Sequence, residues 1–270
     1  MSVIRPRVMG ILNVTPDSFS DGGRHASVEE GLAQAMKLIG DGADILDIGG
    51  ESTRPGAEPV SVEEEIARTV PVIEAVHARW NGPISIDTMK PEVARAAVAA
   101  GATIWNDVTA LTYAPDAAEV AAELGCEVIL MHMLGEPRSM QVEPRYGEVV
   151  TEVADYLDRR AEAAMAAGVA RAKITLDPGI GFGKTIEHNL ALIARLDALG
   201  GLGFPVLLGA SRKRMIRNID PSATEANDRL GGSLAIALEG ARRGAAVIRV
   251  HDVRETVQAL AVQAAIVSAA

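Results

Sequence analysis

The chain holds a single cysteine, Cys126, in 270 residues. No disulfide can form within it and no cysteine-built zinc site is available. That usage suits a reducing compartment, and a cytoplasmic location is expected. Aromatic residues make up only 3%, too few to stack a run of bases or sugars. Basic residues are outnumbered, 26 Lys+Arg against 36 Asp+Glu, for a net charge of −10. A broad nucleic-acid surface needs clustered positive charge, so no nucleic-acid partner is expected, although a small anion site stays compatible. Charges interrupt every long apolar run, and Met1-Ser2-Val3-Ile4-Arg5-Pro6 has no apolar signal core. Neither a membrane span nor a signal peptide is read. The five histidines, His25, His77, His132, His188 and His251, show no ligand spacing, which argues against a protein-built zinc or iron site. Ser211 has no evident base partner and Cys126 precedes its strand, so covalent catalysis is not indicated.

What is present is the balance of a folded protein, 48% hydrophobic and 23% charged, arranged as an alternation. Short apolar runs at Arg7–Asn13, Ile45–Gly49, Ile84–Asp87, Ile104–Asp107, Glu127–His132, Ile174–Asp177, Val206–Gly209 and Val247–His251 read as eight strands. Most are continuously apolar, as parallel strands covered on both faces are. Ala-rich helical segments fall near 27–41, 61–80, 91–100, 115–124, 145–168, 187–200, 226–243 and 252–268. Ser27-Val28-Glu29-Glu30 and Ser61-Val62-Glu63-Glu64 fit capping boxes at two helix starts. A weak repeat, Gly42-Ala43-Asp44-Ile45, Gly101-Ala102-Thr103-Ile104, Gly125-Cys126-Glu127-Val128 and Gly244-Ala245-Ala246-Val247, places a helix-ending glycine before four of the strands. Eight β-then-α units in this length predict one (β/α)8 TIM barrel over residues 1–270, with its active site at the C-terminal ends of the strands. A doubly wound sheet fits less well, having fewer strands and a switch point. The longest helix-free stretches, 14–26, 50–60, 133–144 and 211–225, follow strands and belong on the catalytic face.

Polar residues gather at the strand ends: Asn13, Asp47, Asp87, Asn106, Asp107, His132, Asp177, Arg249 and His251. In a barrel these positions converge on one mouth. Asp87, Asn106 and Asp177 would be costly to bury without a ligand or partner. Their acceptors and one amide donor suit a flat heterocycle bearing amino and ring N–H groups, such as a pterin or purine; an internal network with Lys or Arg is the other reading. Ser211-Arg212-Lys213-Arg214 follows strand 7, and Arg249 and His251 share a face of strand 8. With Arg54 from the loop after strand 2 they suggest a polyphosphate site, where Arg212–Arg214 alone would read as a solvated cluster. Asp177-Pro178-Gly179-Ile180-Gly181-Phe182-Gly183-Lys184-Thr185 is not a Walker A loop, because Pro stands where that spacing needs Gly. It reads as a tight turn that places Phe182 at the mouth. Asn13 could supply an oxygen to a Mg2+ held mainly by a diphosphate.

Two long stretches carry a resemblance. Met9-Gly10-Ile11-Leu12-Asn13-Val14-Thr15-Pro16-Asp17-Ser18-Phe19-Ser20-Asp21-Gly22-Gly23 and Asp47-Ile48-Gly49-Gly50-Glu51-Ser52-Thr53-Arg54-Pro55-Gly56 match signatures of the dihydropteroate synthases of the folate pathway. Ser85-Ile86-Asp87-Thr88, Asn106-Asp107, Met131-His132-Met133, Asp177 to Lys184, Ser211-Arg212-Lys213 and Arg249-Val250-His251-Asp252 follow in order. That family condenses 6-hydroxymethyl-7,8-dihydropterin diphosphate with 4-aminobenzoate, releasing diphosphate. The resemblance implies a pterin pocket of Asp87, Asn106, Val108, Met131, Asp177, Gly209, Lys213 and Arg249. It implies a 4-aminobenzoate site of Thr53, Pro55, Phe182, Ser211 and Lys213, and a diphosphate site of Asn13, Arg54, Arg249 and His251 with Mg2+ on Asn13. Asp87, Lys213 and Arg249 become the catalytic expectation, and Asp17, Ser18 and Phe19 a closing loop. It further implies a homodimer, for which the Ala-rich segments 226–243 and 252–268 are candidates, and sensitivity to sulfonamides, which compete with 4-aminobenzoate. Leu134 and Glu136 depart from the family's usual Gln and Thr, on the loop after strand 5. Two alternatives remain: a non-catalytic pterin-binding paralogue, and a pterin-binding methyltransferase domain serving a corrinoid partner.

Overall fold

The computed structural model describes residues 5–14, 23–52, 58–135 and 144–269, with side chains of the first helix from Val28 onward. Eight parallel strands run β1 Arg7–Asn13, β2 Ile45–Gly49, β3 Ile84–Asp87, β4 Ile104–Asp107, β5 Glu127–Met131, β6 Ile174–Asp177, β7 Leu207–Leu208 and β8 Val247–Val250. Their order is β6-β5-β4-β3-β2-β1-β8-β7, and a parallel bridge between Leu176 and Val206 joins the two edges. The sheet is a TIM barrel. Around it lie α1 Gly23–Gly40, α2 Val62–His77, α3 Pro91–Ala99, α4 Ala117–Leu124, α5 Val149–Ala167, α6 Ile186–Ala194, α7 Leu196–Gly200, α8 Arg214–Ile219, α9 Leu230–Arg242 and α10 Val253–Ser268.

Local chemistry explains the boundaries. The four repeat glycines, Gly42, Gly101, Gly125 and Gly244, all take positive φ, the left-handed turn that lets a helix stop and the next strand begin. Ser61 caps α2 through Oγ, which accepts the Glu64 N–H at 3.2 Å. Pro91 starts α3, where its missing N–H costs nothing. Three expectations need correction. Helix α1 begins at Gly23, so Ser27 lies inside it and is not its cap. The stretch 211–225 contains α8, a single short turn-and-a-half whose only buried residues are Met215 and Ile216, too few to show a period. The segment 187–200 is broken at Arg195 into α6 and α7. Strand β7 is two residues long and His132 and His251 lie just beyond β5 and β8, so three strands are shorter than their apolar runs.

The core has two parts. The outer one packs the helices on the sheet. The inner one, Met9, Ile45, Ile104, Ile129, Leu207 and Val247, fills the barrel. Side chains alternate across a strand, so two residues further along β2, β4, β5, β7 and β8 the same inward face carries Asp47, Asn106, Met131, Gly209 and Arg249. Apolar burial thus forms the floor, and polar residues form the layer above it.

Candidate functional site

Arg249 organises that polar layer. Its Nε donates to Asp47 Oδ2 at 2.5 Å and its Nη2 to Asp87 Oδ2 at 2.6 Å. Asp47 also accepts from Asn106 Nδ2 at 3.2 Å. Side-chain exposure falls from 20% at Arg249 to 13% at Asp87 and 0% at Asp47, so the network opens upward. Gly209 lies against the arginine: a Cβ there would stand 3.7 Å from the Arg249 Cβ, at ordinary contact distance. Across the mouth, buried Asp177 accepts the Gly179 N–H at 2.7 Å. Lys213 Nζ donates to the Ile180 carbonyl and sits 4.5 Å from the centroid of the Phe182 ring. Val108 and Met131 are buried beside this layer. Ser211 Oγ accepts the His251 N–H at 3.2 Å and lies 3.1 Å from His251 Nδ1.

The electrostatics follow from burying charges together. Burial pushes the Asp87 carboxyl up to about 7, with Arg249 opposing and Asp47 assisting. Burial raises Asp177 as well, against Lys213. It pulls Lys213 down to about 8, with Asp177 holding it up and Arg249 pushing it further down. Burial disfavours the Arg249 charge, yet Asp47 and Asp87 outweigh it and keep the guanidinium above its ordinary pKa. The mouth therefore presents acceptors of poised charge beside fixed cations.

The structure brings together Asp87, Asn106, Val108, Met131, Asp177, Phe182, Gly209, Ser211, Lys213, Arg249 and His251 at one end of the barrel. Asn13 ends β1 at the same rim and is exposed. Thr53, Arg54, Pro55, Asp17, Ser18 and Phe19 lie outside the described residues. Among the strand-end residues, Asp107 and His132 turn away from the mouth. Asp107 binds the N–H groups of Thr109 and Leu111 at 2.7 and 2.8 Å and braces its own loop. His132 faces Lys184, with 2.8 Å between Nδ1 and Nζ. Both residues alternate with inward ones, Asn106 and Met131, which fixes their outward face. Arg212 is not part of a free cationic cluster; it holds Asp252 through Nε at 2.9 Å and through Nη2. Asp47, which position alone did not distinguish from its neighbours, is the network's most buried member. Its place two residues after inward Ile45 was the available signal.

Among the described residues no group of three His, Cys, Asp or Glu could hold a metal. A hard cation bound mainly through a diphosphate needs only one or two protein oxygens, and the exposed Asn13 amide at the rim fits that requirement. No described helix is long and apolar enough to cross a membrane.

Residues 9–251 match the pterin binding enzyme family. The dihydropteroate synthase of Escherichia coli K12 is 50% identical over 272 residues, covering 100% of this chain and 94% of that relative. Among solved structures, Xanthomonas albilineans dihydropteroate synthase with 4-aminobenzoic acid superposes with a TM-score of 0.92 at 50% identity, covering 99% of this chain and 95% of that one. The same enzyme in complex with 7,8-dihydropteroate gives 0.89 at 48% identity, over 99% and 96%. The Yersinia pestis enzyme in a sulfonamide drug complex gives 0.92 at 45%, over 99% and 96%.

Proposed function

The chain belongs to the pterin binding enzymes, and within them to the dihydropteroate synthases, and on that premise we propose how its own residues carry out the condensation of 6-hydroxymethyl-7,8-dihydropterin diphosphate with 4-aminobenzoate to 7,8-dihydropteroate and diphosphate. The observation that carries this reading is the inward-facing layer of Asp87, Asn106 and Asp177 around Arg249, with Lys213 beside it. The pterin's amino and ring N–H groups meet Asp87 and Asp177, its acceptors meet Asn106 and Lys213, and the Arg249 guanidinium lies against its face. Val108, Met131 and Gly209 shape the walls.

The C–O bond to the diphosphate breaks first, its electron pair leaving on the diphosphate oxygen. Arg54, Arg249 and His251 hold that leaving group and stabilise the charge it gains. The electron-rich pterin stabilises the methylene cation, with Asp87 the nearest anion. The arylamine nitrogen, aligned by Thr53, Pro55, Phe182, Ser211 and Lys213, then forms the C–N bond and passes its proton to the departed diphosphate. A neutral arylamine needs no strong base, so the Ser211–His251 contact at 3.1 Å, a partner for Ser211 that the sequence did not show, is assigned to ligand placement and not to nucleophilic attack. Asn13 would hold Mg2+ arriving with the diphosphate; when bound, the ion supplies further neutralisation of leaving-group charge. Residues 14–26 and 50–60 are the segments to exclude water.

A second copy is the partner proposed for the groove between α9 and α10. Leu234, Leu238, Val262, Ile266 and Val267 line it, and the last three are 50–66% exposed. Apolar side chains contiguous on one face are the usual material of a symmetric dimer. The function is tested by incubating both substrates with Mg2+ and separating the products. One dihydropteroate per diphosphate is expected; retained pterin diphosphate with tight binding and no release supports the non-catalytic paralogue instead.

A further inference from the structure

Lys184 is 3% exposed and lies behind the turn that carries Phe182. Its Nζ stands 2.8 Å from His132 Nδ1, and donates to the carbonyls of Phe182 at 3.0 Å, Gly179 at 3.1 Å and His132 at 3.3 Å. One amine nitrogen therefore joins both ends of the Gly179–Gly183 turn to the segment that leaves β5, and burial pulls its pKa down to about 7 with Asp177 opposing. The two backbones are in close approach: a Cβ at Gly179 would run into the His132 carbonyl, and one at Gly183 into that of Leu134. Tyr146 adds a second tie, its hydroxyl donating to the Gly183 carbonyl at 2.9 Å. The His132 ring is packed edge-on by Tyr156, centroids 4.9 Å apart. Burial, reinforced by the Lys184 charge, pulls its pKa down to about 3, so the ring is neutral and can accept through Nδ1.

The opposite side of the same turn meets the mouth. There Lys213 bonds the Ile180 carbonyl and faces the Phe182 ring. Two lysines thus grip one turn, Lys213 from the side of the substrates and Lys184 from behind, out of their reach. Of the pterin-facing residues, Asp87, Asn106 and Arg249 sit on strands that the turn does not support; Asp177 is held by β6 and Lys213 by the loop after β7, and they meet the turn only at the Gly179 N–H and the Ile180 carbonyl.

We propose that Lys184 is a positioning residue for the arylamine half of the reaction, fixing the Gly179–Gly183 turn on the β5 loop so that Phe182 is held against the second substrate. This rests on the functional reading above. Lys184→Met keeps the stem and removes the donors. In steady-state assays of diphosphate release, the KM for 4-aminobenzoate should rise about tenfold or more while that for pterin diphosphate stays within about twofold. Unchanged constants, or a parallel rise in both, would overturn the proposal. Should that variant fail to fold, Tyr146→Phe decides: loss of the tie to Gly183 should raise the 4-aminobenzoate KM alone, by about threefold, and an unaltered KM overturns the assignment. Wild-type protein that condenses nothing would refute the underlying function, whereas active wild type with an unselective variant refutes only the role of Lys184.

Discussion

Arg249→Met removes the guanidinium that two carboxylates share. In the wild type Arg249 is bonded to Asp47 at 2.5 Å and Asp87 at 2.6 Å, and Asp47 is fully buried. Methionine fills similar space but takes from both carboxylates their ion-pair partner, leaving Asp87 only the longer-range charge of Lys213. Breaking a buried pair from one side costs about 3–5 kcal/mol, and that is the loss expected in urea unfolding at pH 8.5. The loss should shrink on acidification. Asp87 already sits at about 7 with the arginine present, and without it the carboxyl takes up a proton at higher pH. An ordinary carboxyl in the unfolded chain stays ionised over this range, so proton binding by the folded form adds stability as pH falls. Between pH 8.5 and 6.5 the variant should regain about 1 to 2 kcal/mol relative to wild type. Fluorescence of buried Trp105 reports the unfolding. A penalty under about 1 kcal/mol at pH 8.5, or one that grows as pH falls, would refute the reasoning.

His132 is buried neutral, with its pKa pulled to about 3 by burial and then by Lys184. The unfolded chain binds its proton first, so stability is lost as pH drops below the ordinary histidine value; from pH 7 to 5 the wild type should lose about 2 kcal/mol more than His132→Asn. Equal losses in urea titrations would contradict this. Sulfonamides should inhibit in competition with 4-aminobenzoate, the rate recovering as that substrate is raised; an undiminished rate in saturating drug would exclude the assigned site. Ile266→Glu, on an exposed position of the α10 face, should turn a dimer into a monomer in sedimentation velocity. A wild type that sediments as a monomer would remove that interface.

The barrel was legible because its strands are short apolar runs and its helix ends are marked by glycines that all prove left-handed. The pocket was legible wherever position and face coincide: Asp87 and Asp177 end their strands, and Asn106 and Arg249 stand one residue before the end, all on the inward side. Proximity to a strand end misled at Asp107 and His132, since one step along a strand reverses the face. The charge of Arg212 was visible but its bond to Asp252 was not, because that pairing joins loops 40 residues apart. The grip of Lys184 on two loops was hidden for the same reason: its bond to His132 spans 52 residues. Helix α8, six residues long, is too short to show a helical period.

The central claim is that this mouth couples departure of diphosphate to capture by an arylamine. The most direct measurement is diphosphate release from 6-hydroxymethyl-7,8-dihydropterin diphosphate with Mg2+, with and without 4-aminobenzoate, in the wild type and in Arg249→Ala. Sustained release that requires 4-aminobenzoate, yields 7,8-dihydropteroate in equal amount and disappears in the variant is the predicted result. Release that ignores 4-aminobenzoate, or that survives loss of Arg249, would contradict it.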